Sequence, residues 1–108
     1  MRIYFANNKY LTVGSIDQYY HNNIQYLRFD IIDSSLSYCS LYEFLQQPET
    51  LKQITLTNEQ GIVVEQFVDQ FVRIDSIKRT FVNEKFNYQI ILTSSETIDT
   101  IPFIVMNF

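Results

Sequence analysis

Apolar and polar residues alternate along much of this chain, which is the pattern of β-strands with one buried face and one wet face. Segment 24–32 shows the alternation most clearly. Its apolar positions are Leu27, Phe29 and Ile31, and the positions between them are Tyr26, Arg28 and Asp30. The segment is therefore predicted to be a strand that buries its leucine, phenylalanine and isoleucine side chains.

Shorter stretches with strand character lie on both sides of this segment and are separated by turn-forming residues. The predicted strands are 2–6, 9–13, 16–20, 24–32, 54–57, 73–82, 86–93 and 101–108, and the predicted turns are 7–8, 21–23, 58–61 and 83–85. Gly61 closes the third of these turns. Because Pro102 cannot donate a backbone hydrogen bond, the last strand is expected to begin at a sheet edge.

Segment 62–72 fits two periodicities. Its residues with helical spacing are Val64, Phe67, Val68, Phe71 and Val72. The same residues also divide between the two faces of an extended strand. Because β-branched side chains favour extended backbone, a strand is the preferred interpretation, and a helix stays open as the alternative.

One short helix is predicted near residues 40–47. Ser40 and Glu43 have the spacing of a capping box, in which each side chain satisfies a backbone N–H at the start of the helix. The apolar stripe of this helix consists of Leu41, Phe44 and Leu45. Pro48 ends the helix, because the residue before a proline avoids helical backbone. A helix of about two turns is not stable alone, so it must pack on the sheet.

Together these elements predict a mainly β protein, with α+β as the alternative class. The expected architecture is a small antiparallel sandwich or an open barrel of seven or eight strands, with one short helix near 40–47. A length of 108 residues fits a single β-rich domain that spans 1–108. The composition, 46% apolar and 19% charged, is close to that of ordinary globular proteins and argues against disorder.

Little in the sequence points to catalysis. The chain has one His, one Cys and two Gly, whereas most hydrolytic or metal chemistry needs clustered His, Cys and carboxylates or a glycine-rich loop. His21 is expected to be exposed at a hairpin tip. Cys39 is expected to be a small buried hydrophobic residue, with a reactive thiol at the helix start as the alternative. No catalytic, cofactor-binding or metal-binding residue is predicted, and the protein is not expected to be an enzyme.

Charge and hydropathy narrow the class of partner. The net charge of −4 argues against a nucleic-acid partner, because proteins bind nucleic acid mainly through Lys and Arg. No apolar run approaches the roughly 20 residues of a membrane span, so no membrane partner is expected. No signal peptide is recognisable at the N-terminus, and a single Cys cannot form an internal disulfide. A cytosolic location is therefore the default expectation.

The eight tyrosines combine a large contact area with a polar hydroxyl, a combination that is enriched at protein interfaces. Tyr26 and Arg28 point away from the predicted core, and outward aromatic side chains beside arginine are typical of contact hot spots. The residues predicted for an interaction surface are Tyr10, Tyr19, Tyr20, Tyr26 and Arg28. Tyrosines that merely cover the sheet are the alternative interpretation.

The order of the predicted strands and helix along the chain resembles that of a known group of proteins. A hydrophobic strand at 26–30 precedes the short helix at 40–45, an Ile-Thr-Leu strand at 54–56, a hairpin over 71–92 and a tail at 96–101. This order resembles that of short β-rich proteins encoded in phages and prophages of low-GC Gram-positive bacteria, often near tail genes. The resemblance covers most of the chain and rests on a hydrophobic pattern without a chemical motif. It implies a phage accessory or virion-associated protein in the host cytoplasm or the virion, and it transfers no catalytic residue.

Three hypotheses for function follow. The preferred one is a non-enzymatic phage or prophage protein, specifically a tail or baseplate component, that contacts further copies of itself, other virion subunits or a host protein. The second is a phage-encoded inhibitor of a host defence system, since a small acidic protein can occupy a basic nucleic-acid channel. The third is a small carbohydrate- or ligand-binding module with aromatic faces.

Overall fold

A computed structural model of the chain describes residues 1–31, 37–47 and 49–96. This part of the chain is mainly β, as the alternation predicts. Its strands are β1 (Arg2–Tyr4), β2 (Tyr10–Thr12), β3 (Ser15–His21), β4 (Ile24–Ile31), β5 (Gln53–Thr57), β6 (Val63–Val68), β7 (Arg73–Val82) and β8 (Lys85–Thr93), and its α-helix is α1 (Tyr38–Gln46). A short 3-10 turn at Thr50–Lys52 leads into β5. The predicted strand at 101–108 lies outside the described residues.

The strands form two antiparallel sheets of four strands each. The first sheet has the order β2-β1-β5-β6, and the second has the order β3-β4-β8-β7. Both sheets and α1 contribute side chains to one hydrophobic core. Its fully buried members are Ile3, Leu27, Phe29, Leu41, Leu45, Ile54, Ile90 and Leu92. The arrangement is that of a small sandwich, with β2 and β6 at the edges of the first sheet and β3 and β7 at the edges of the second.

The central part of segment 62–72 is the strand β6, which confirms the strand interpretation over the helical one. β6 ends at Val68, and Asp69 follows with a φ of 55°, so the chain turns before it enters β7. Phe67 and Phe71 are buried on the two sides of this turn, with ring centroids 5.2 Å apart in an edge-to-face contact. The valines of the segment remain on the surface and comprise Val63, Val64, Val68 and Val72.

Residues with positive φ make the two tightest hairpin turns. Asn22 and Asn23 join β3 to β4 with φ of 52° and 65°, and Asn83 and Glu84 join β7 to β8 with φ of 52° and 63°. Positive φ at both central residues is what a two-residue type I′ turn requires. Since each turn needs only two residues, Lys85 belongs to β8 and not to the turn predicted at 83–85.

The start of α1 corrects the predicted capping box. The N-cap is Ser37, whose Oγ accepts a hydrogen bond from the Ser40 N–H at 3.1 Å. Ser40 therefore lies in the first turn and does not form the predicted cap with Glu43. The helix ends at Gln46, two residues before Pro48. Its core-facing stripe is the predicted one and consists of the buried Leu41 and Leu45 and the partly buried Phe44.

Candidate functional site: aromatic and arginine side chains on the sheet surfaces

The side of the second sheet opposite its buried core residues is ordered into rows by the strand register. One row contains Tyr19, Tyr26, Thr93 and Arg73, the next contains Asp17, Arg28, Ile91 and Ser76, and the third contains Ser15, Asp30, Gln89 and Lys78. The intervening residues of the two central strands, such as Leu27, Phe29 and Ile90, are fully buried. The three rows therefore lie on the side away from the core, and we call them the outer face of the second sheet.

Four residues at one end of the outer face form what we call the Tyr19 cluster, made of Asp17, Tyr19, Tyr26 and Arg28. The Tyr19 and Tyr26 rings stack directly across β3 and β4, with centroids 5.1 Å apart and planes inclined by 14°. The Arg28 guanidinium carbon lies 5.9 Å from the centroid of the Tyr19 ring. Arg28 Nη2 also donates a hydrogen bond to Asp17 Oδ2 at 2.9 Å.

The ion pair in this cluster positions side chains more than it stabilises the fold. The side chains of Arg28 and Asp17 are 43% and 55% exposed, so water screens their attraction, and such pairs contribute about 0–1 kcal/mol. Its consequence is geometric, because the carboxylate holds the guanidinium beside the Tyr19 ring. The cluster thus presents two stacked phenol rings with an arginine–carboxylate pair fixed at their border.

Polar side chains line a depression on the same face beside the Tyr19 cluster. Its lining includes Asp30, Lys78, Thr80, Asn87 and Gln89. Ser15 Oγ donates a hydrogen bond to Asp30 Oδ2 at 2.7 Å and so fixes this carboxylate. The outer face therefore combines an aromatic end with a polar, charged end.

A second aromatic group lies on the first sheet and consists of Arg2, Tyr4 and Tyr10, which we call the Tyr10 cluster. The two tyrosine rings are 5.2 Å apart, and the Arg2 guanidinium carbon lies 4.6 Å from the centroid of the Tyr10 ring. Arg2 Nη1 donates a hydrogen bond to the Tyr4 hydroxyl at 3.3 Å, and this contact raises the pKa of Arg2 above its ordinary value. Tyr10 is 48% exposed and belongs to a different sheet from the Tyr19 cluster.

Tyr20 lies apart from both clusters. It is paired with Gln25 across β3 and β4, and its alternation with Tyr19 turns it to the core side of the second sheet. At that end of the strand the core no longer covers it, and its side chain is 68% exposed. Of the residues predicted for one interaction surface, the structure therefore brings Tyr19, Tyr26 and Arg28 together and places Tyr10 and Tyr20 elsewhere.

The sequence interpretation missed an exposed phenylalanine pair near the β7–β8 turn. Phe81 and Phe86 are directly paired, with ring centroids 5.0 Å apart, and they are 62% and 40% exposed. The Arg79 guanidinium carbon lies 4.9 Å from the centroid of the Phe86 ring. The available signal was the presence of Phe on both sides of the predicted turn at 83–85, where strand ends project beyond the core.

His21 and Cys39 are placed on different elements. His21 is exposed, as predicted, but it is the last residue of β3, paired with Ile24, and does not belong to the turn predicted at 21–23. Cys39 is a free, exposed thiol on α1, which corrects the prediction of a buried residue. The physical reason is that Cys39 lies two helical positions from Leu41 and therefore points away from the buried stripe.

Two wider features of the described residues bear on the type of site. Within 1–31, 37–47 and 49–96, no group of three or more His, Cys, Asp or Glu side chains could hold a metal ion. Across the same ranges, no helix has the length and apolar character needed to cross a bilayer.

Comparison with known proteins adds no relative. No protein family model, curated protein or solved structure matches this chain. The interactions that the site can make are therefore inferred from its geometry alone. Stacked tyrosines with a fixed arginine can pack against apolar groups, stack on planar groups and donate hydrogen bonds to acceptors of a partner.

Proposed function

We propose that this protein is a non-enzymatic binding protein that acts through contact with another protein, and that the Tyr19 cluster is the centre of its contact surface. The observation that supports the proposal is the cross-strand stack of Tyr19 on Tyr26, with Arg28 held beside it by Asp17. Tyrosine and arginine are enriched among the residues that dominate binding energy at interfaces. Because β3 and β4 already order these side chains, little conformational entropy is lost when a partner binds.

The specific form of the proposal is an accessory component of a phage or prophage tail or baseplate. Its support is the resemblance of the element order to short phage-encoded proteins, together with a surface suited to subunit contacts. In such an assembly the outer face of the second sheet packs against a neighbouring virion subunit. Aromatic side chains and arginine then occupy the buried centre of the contact, and Lys78 and Asp30 lie toward its rim.

Incorporation into particles tests the proposal. The wild-type protein and a Tyr26→Ser/Arg28→Ser variant are supplied from a plasmid to a lysogen that lacks the gene, and purified virions are quantified by mass spectrometry. We expect the wild-type protein in the particles and at least about tenfold less of the variant, since removal of a hot spot costs about 2 kcal/mol, which is about thirtyfold in affinity. Lys52→Ser is the matched control, because Lys52 is an exposed residue outside the outer face.

The experiment separates the virion role from the role of the Tyr19 cluster, and the control detects general damage. Absence of the wild-type protein from purified virions rules out the virion role. Equal incorporation of the wild-type protein and the double variant excludes the Tyr19 cluster as the contact. A loss of incorporation with Lys52→Ser as well would show that the readout reports general damage and not the contact.

A carbohydrate-binding module is the second candidate, and the depression beside the Tyr19 cluster favours it. Sugars are bound by aromatic rings that stack on their apolar faces and by polar groups that accept and donate hydrogen bonds. The test is a thermal shift against a panel of oligosaccharides. A ligand should raise the Tm of the wild-type protein and not that of Asp30→Ala/Gln89→Ala, and a panel without any shift excludes this function.

A further inference from the structure

Two opposite charges on the outer face of the second sheet lack an ion-pair partner. The charged side chains in the three rows of this face are those of Asp17, Arg28, Asp30, Arg73 and Lys78. Arg28 is paired with Asp17 at 2.9 Å, and Arg73 is paired with Asp75 at 3.8 Å. Within the described part of the chain, neither Asp30 nor Lys78 forms an ion pair, so both charges are available to a ligand.

Both of these side chains line the depression beside the Tyr19 cluster. Asp30, Gln89 and Lys78 form one row across β4, β8 and β7, so the two charges lie on opposite walls with Gln89 between them. The depression has a volume of about 300 Å³, which is at the lower end of the range for small-molecule sites. Thr80 and Asn87 also line it, and their side chains can donate and accept hydrogen bonds.

The Asp30 carboxylate is held in place by the neighbouring strand. Ser15 Oγ donates a hydrogen bond to Asp30 Oδ2 at 2.7 Å, which leaves Oδ1 for another donor. Arg28 lies two residues before Asp30 on the same face, but its guanidinium is bound to Asp17. Asp30 therefore keeps an oriented acceptor for an incoming ammonium group.

We propose that this depression binds a small zwitterionic ligand of the amino-acid class, with its ammonium group on Asp30 and its carboxylate on Lys78. Two strand spacings separate the backbones of Asp30 and Lys78 by about 10 Å. A charge-assisted hydrogen bond of about 2.8 Å at each end leaves about 4 Å between the ammonium nitrogen and the carboxylate oxygen of the ligand. β-Alanine, in which two methylene groups separate the charged groups, suits this span.

The two walls together select against ligands with a single charge. An anion that is drawn to Lys78 also meets the Asp30 carboxylate, and a cation that is drawn to Asp30 also meets the Lys78 ammonium group. Like charges that are brought close together weaken binding. A zwitterion satisfies both walls at once, whereas a neutral oligosaccharide offers a counter-charge to neither.

The expected gain from each charge is modest, because Lys78 is exposed and Asp30 is partly exposed. Water screens such pairs, so each charged group of the ligand should tighten binding by about twofold to fivefold. Binding this weak calls for a measurement that resolves small occupancies and reports where the ligand lies.

This inference does not depend on the contact made by the Tyr19 cluster or on the binding of oligosaccharides. The depression is available to a small zwitterion whether or not the protein enters a virion, and neutral sugars lack the charges on which the inference rests. Failure of zwitterion binding is therefore a separate result from failure of particle incorporation or of the oligosaccharide panel.

An NMR titration of the isotope-labelled full chain tests the inference. The ligands are β-alanine, propionate and propylamine at equal ionic strength, and the last two each carry one of the two charges on a chain of similar length. We expect β-alanine to bind at least about threefold more tightly than either of the others. The amide shifts that it causes should be largest around Asp30, Lys78 and Gln89.

Variants of the two walls assign each charge. Asp30→Asn should bind β-alanine no more tightly than wild type binds propionate, and Lys78→Gln should bind it no more tightly than wild type binds propylamine. Lys52→Gln is the matched control, because Lys52 is an exposed lysine outside the outer face, and it should bind β-alanine as wild type does.

Three results would overturn the inference. They are equal affinity of the wild-type protein for β-alanine and for a ligand with a single charge, unchanged β-alanine binding by both wall variants, and amide shifts that map to another surface. The amide spectrum of each variant shows whether it is folded. Because the comparison of the three ligands uses the wild-type protein alone, a misfolded variant does not prevent a decision.

Discussion

Glu84 adopts a backbone conformation that a side chain with a Cβ takes at a cost. Its φ is 63° in the second central position of the β7–β8 turn, where glycine is the preferred residue. Left-handed backbone costs a non-glycine residue about 1–2 kcal/mol. We expect Glu84→Gly to raise the free energy of unfolding by about 1 kcal/mol in urea titrations. Glu84→Ala keeps a Cβ and should give no such gain, and equal gains for both variants would contradict the explanation.

Tyr38 is expected to make stability sensitive to alkaline pH. Burial raises the pKa of its phenol above the ordinary 10.0, and the nearby Tyr42 and Cys39 raise it further. Since the folded pKa exceeds the unfolded pKa, the folded state is favoured fully below about pH 10, and this contribution is lost as the pH rises through the folded pKa. Urea unfolding between about pH 9 and 11 should show a steeper loss for wild type than for Tyr38→Phe. Parallel curves would count against this role for Tyr38.

At the scale of the elements, the start of α1 can be tested by two serines. Ser37 Oγ accepts the hydrogen bond that caps the helix from the Ser40 N–H, which any residue provides. The Ser40 side chain only accepts a further, exposed hydrogen bond from Ser37 Oγ at 3.0 Å. We expect Ser37→Ala to lower the free energy of unfolding by about 1 kcal/mol and Ser40→Ala to lower it by less, in matched denaturant titrations. A larger loss for Ser40→Ala would restore the capping box predicted from Ser40 and Glu43.

The strands were predictable to a greater degree than the helix boundary, for physical reasons. Side chains of a strand alternate between its two faces, so a shift of one residue would move every side chain to the wrong face. The alternation along β4 is therefore compatible with only one assignment of its buried face. In β6 the spacing of the valines and Phe67 also fits a helix. The high content of β-branched residues favours a strand, and the strand is what the structure shows. At α1, Ser37 and Ser40 are equally good caps in sequence, and the choice depends on tertiary contacts of the helix.

At the scale of the whole molecule, the candidate site was predictable in part. Alternation places Tyr26 and Arg28 on the outer side of β4, and the structure adds Tyr19 by pairing β3 with β4. Local sequence does not specify that β2 belongs to the other sheet, so Tyr10 could not be separated from this group beforehand. The partition of strands between sheets depends on long-range pairs such as β4 with β8 and β1 with β5.

The shared core predicts that the two sheets unfold together. Leu27 on β4 and Ile54 on β5 belong to different sheets, yet both are fully buried in the same core. Truncation of either residue to alanine should lower the free energy of unfolding by about 2–5 kcal/mol, a large part of the 5–15 kcal/mol typical of a domain. Native-state hydrogen exchange should then show that Leu27→Ala accelerates exchange in β5 as strongly as in β4, because opening one sheet removes the packing surface of the other. Val72→Ala, an exposed substitution, is the control and should change neither rate. Faster exchange confined to the second sheet in Leu27→Ala would show instead that each sheet is stable without the other, and the single cooperative core would have to be abandoned.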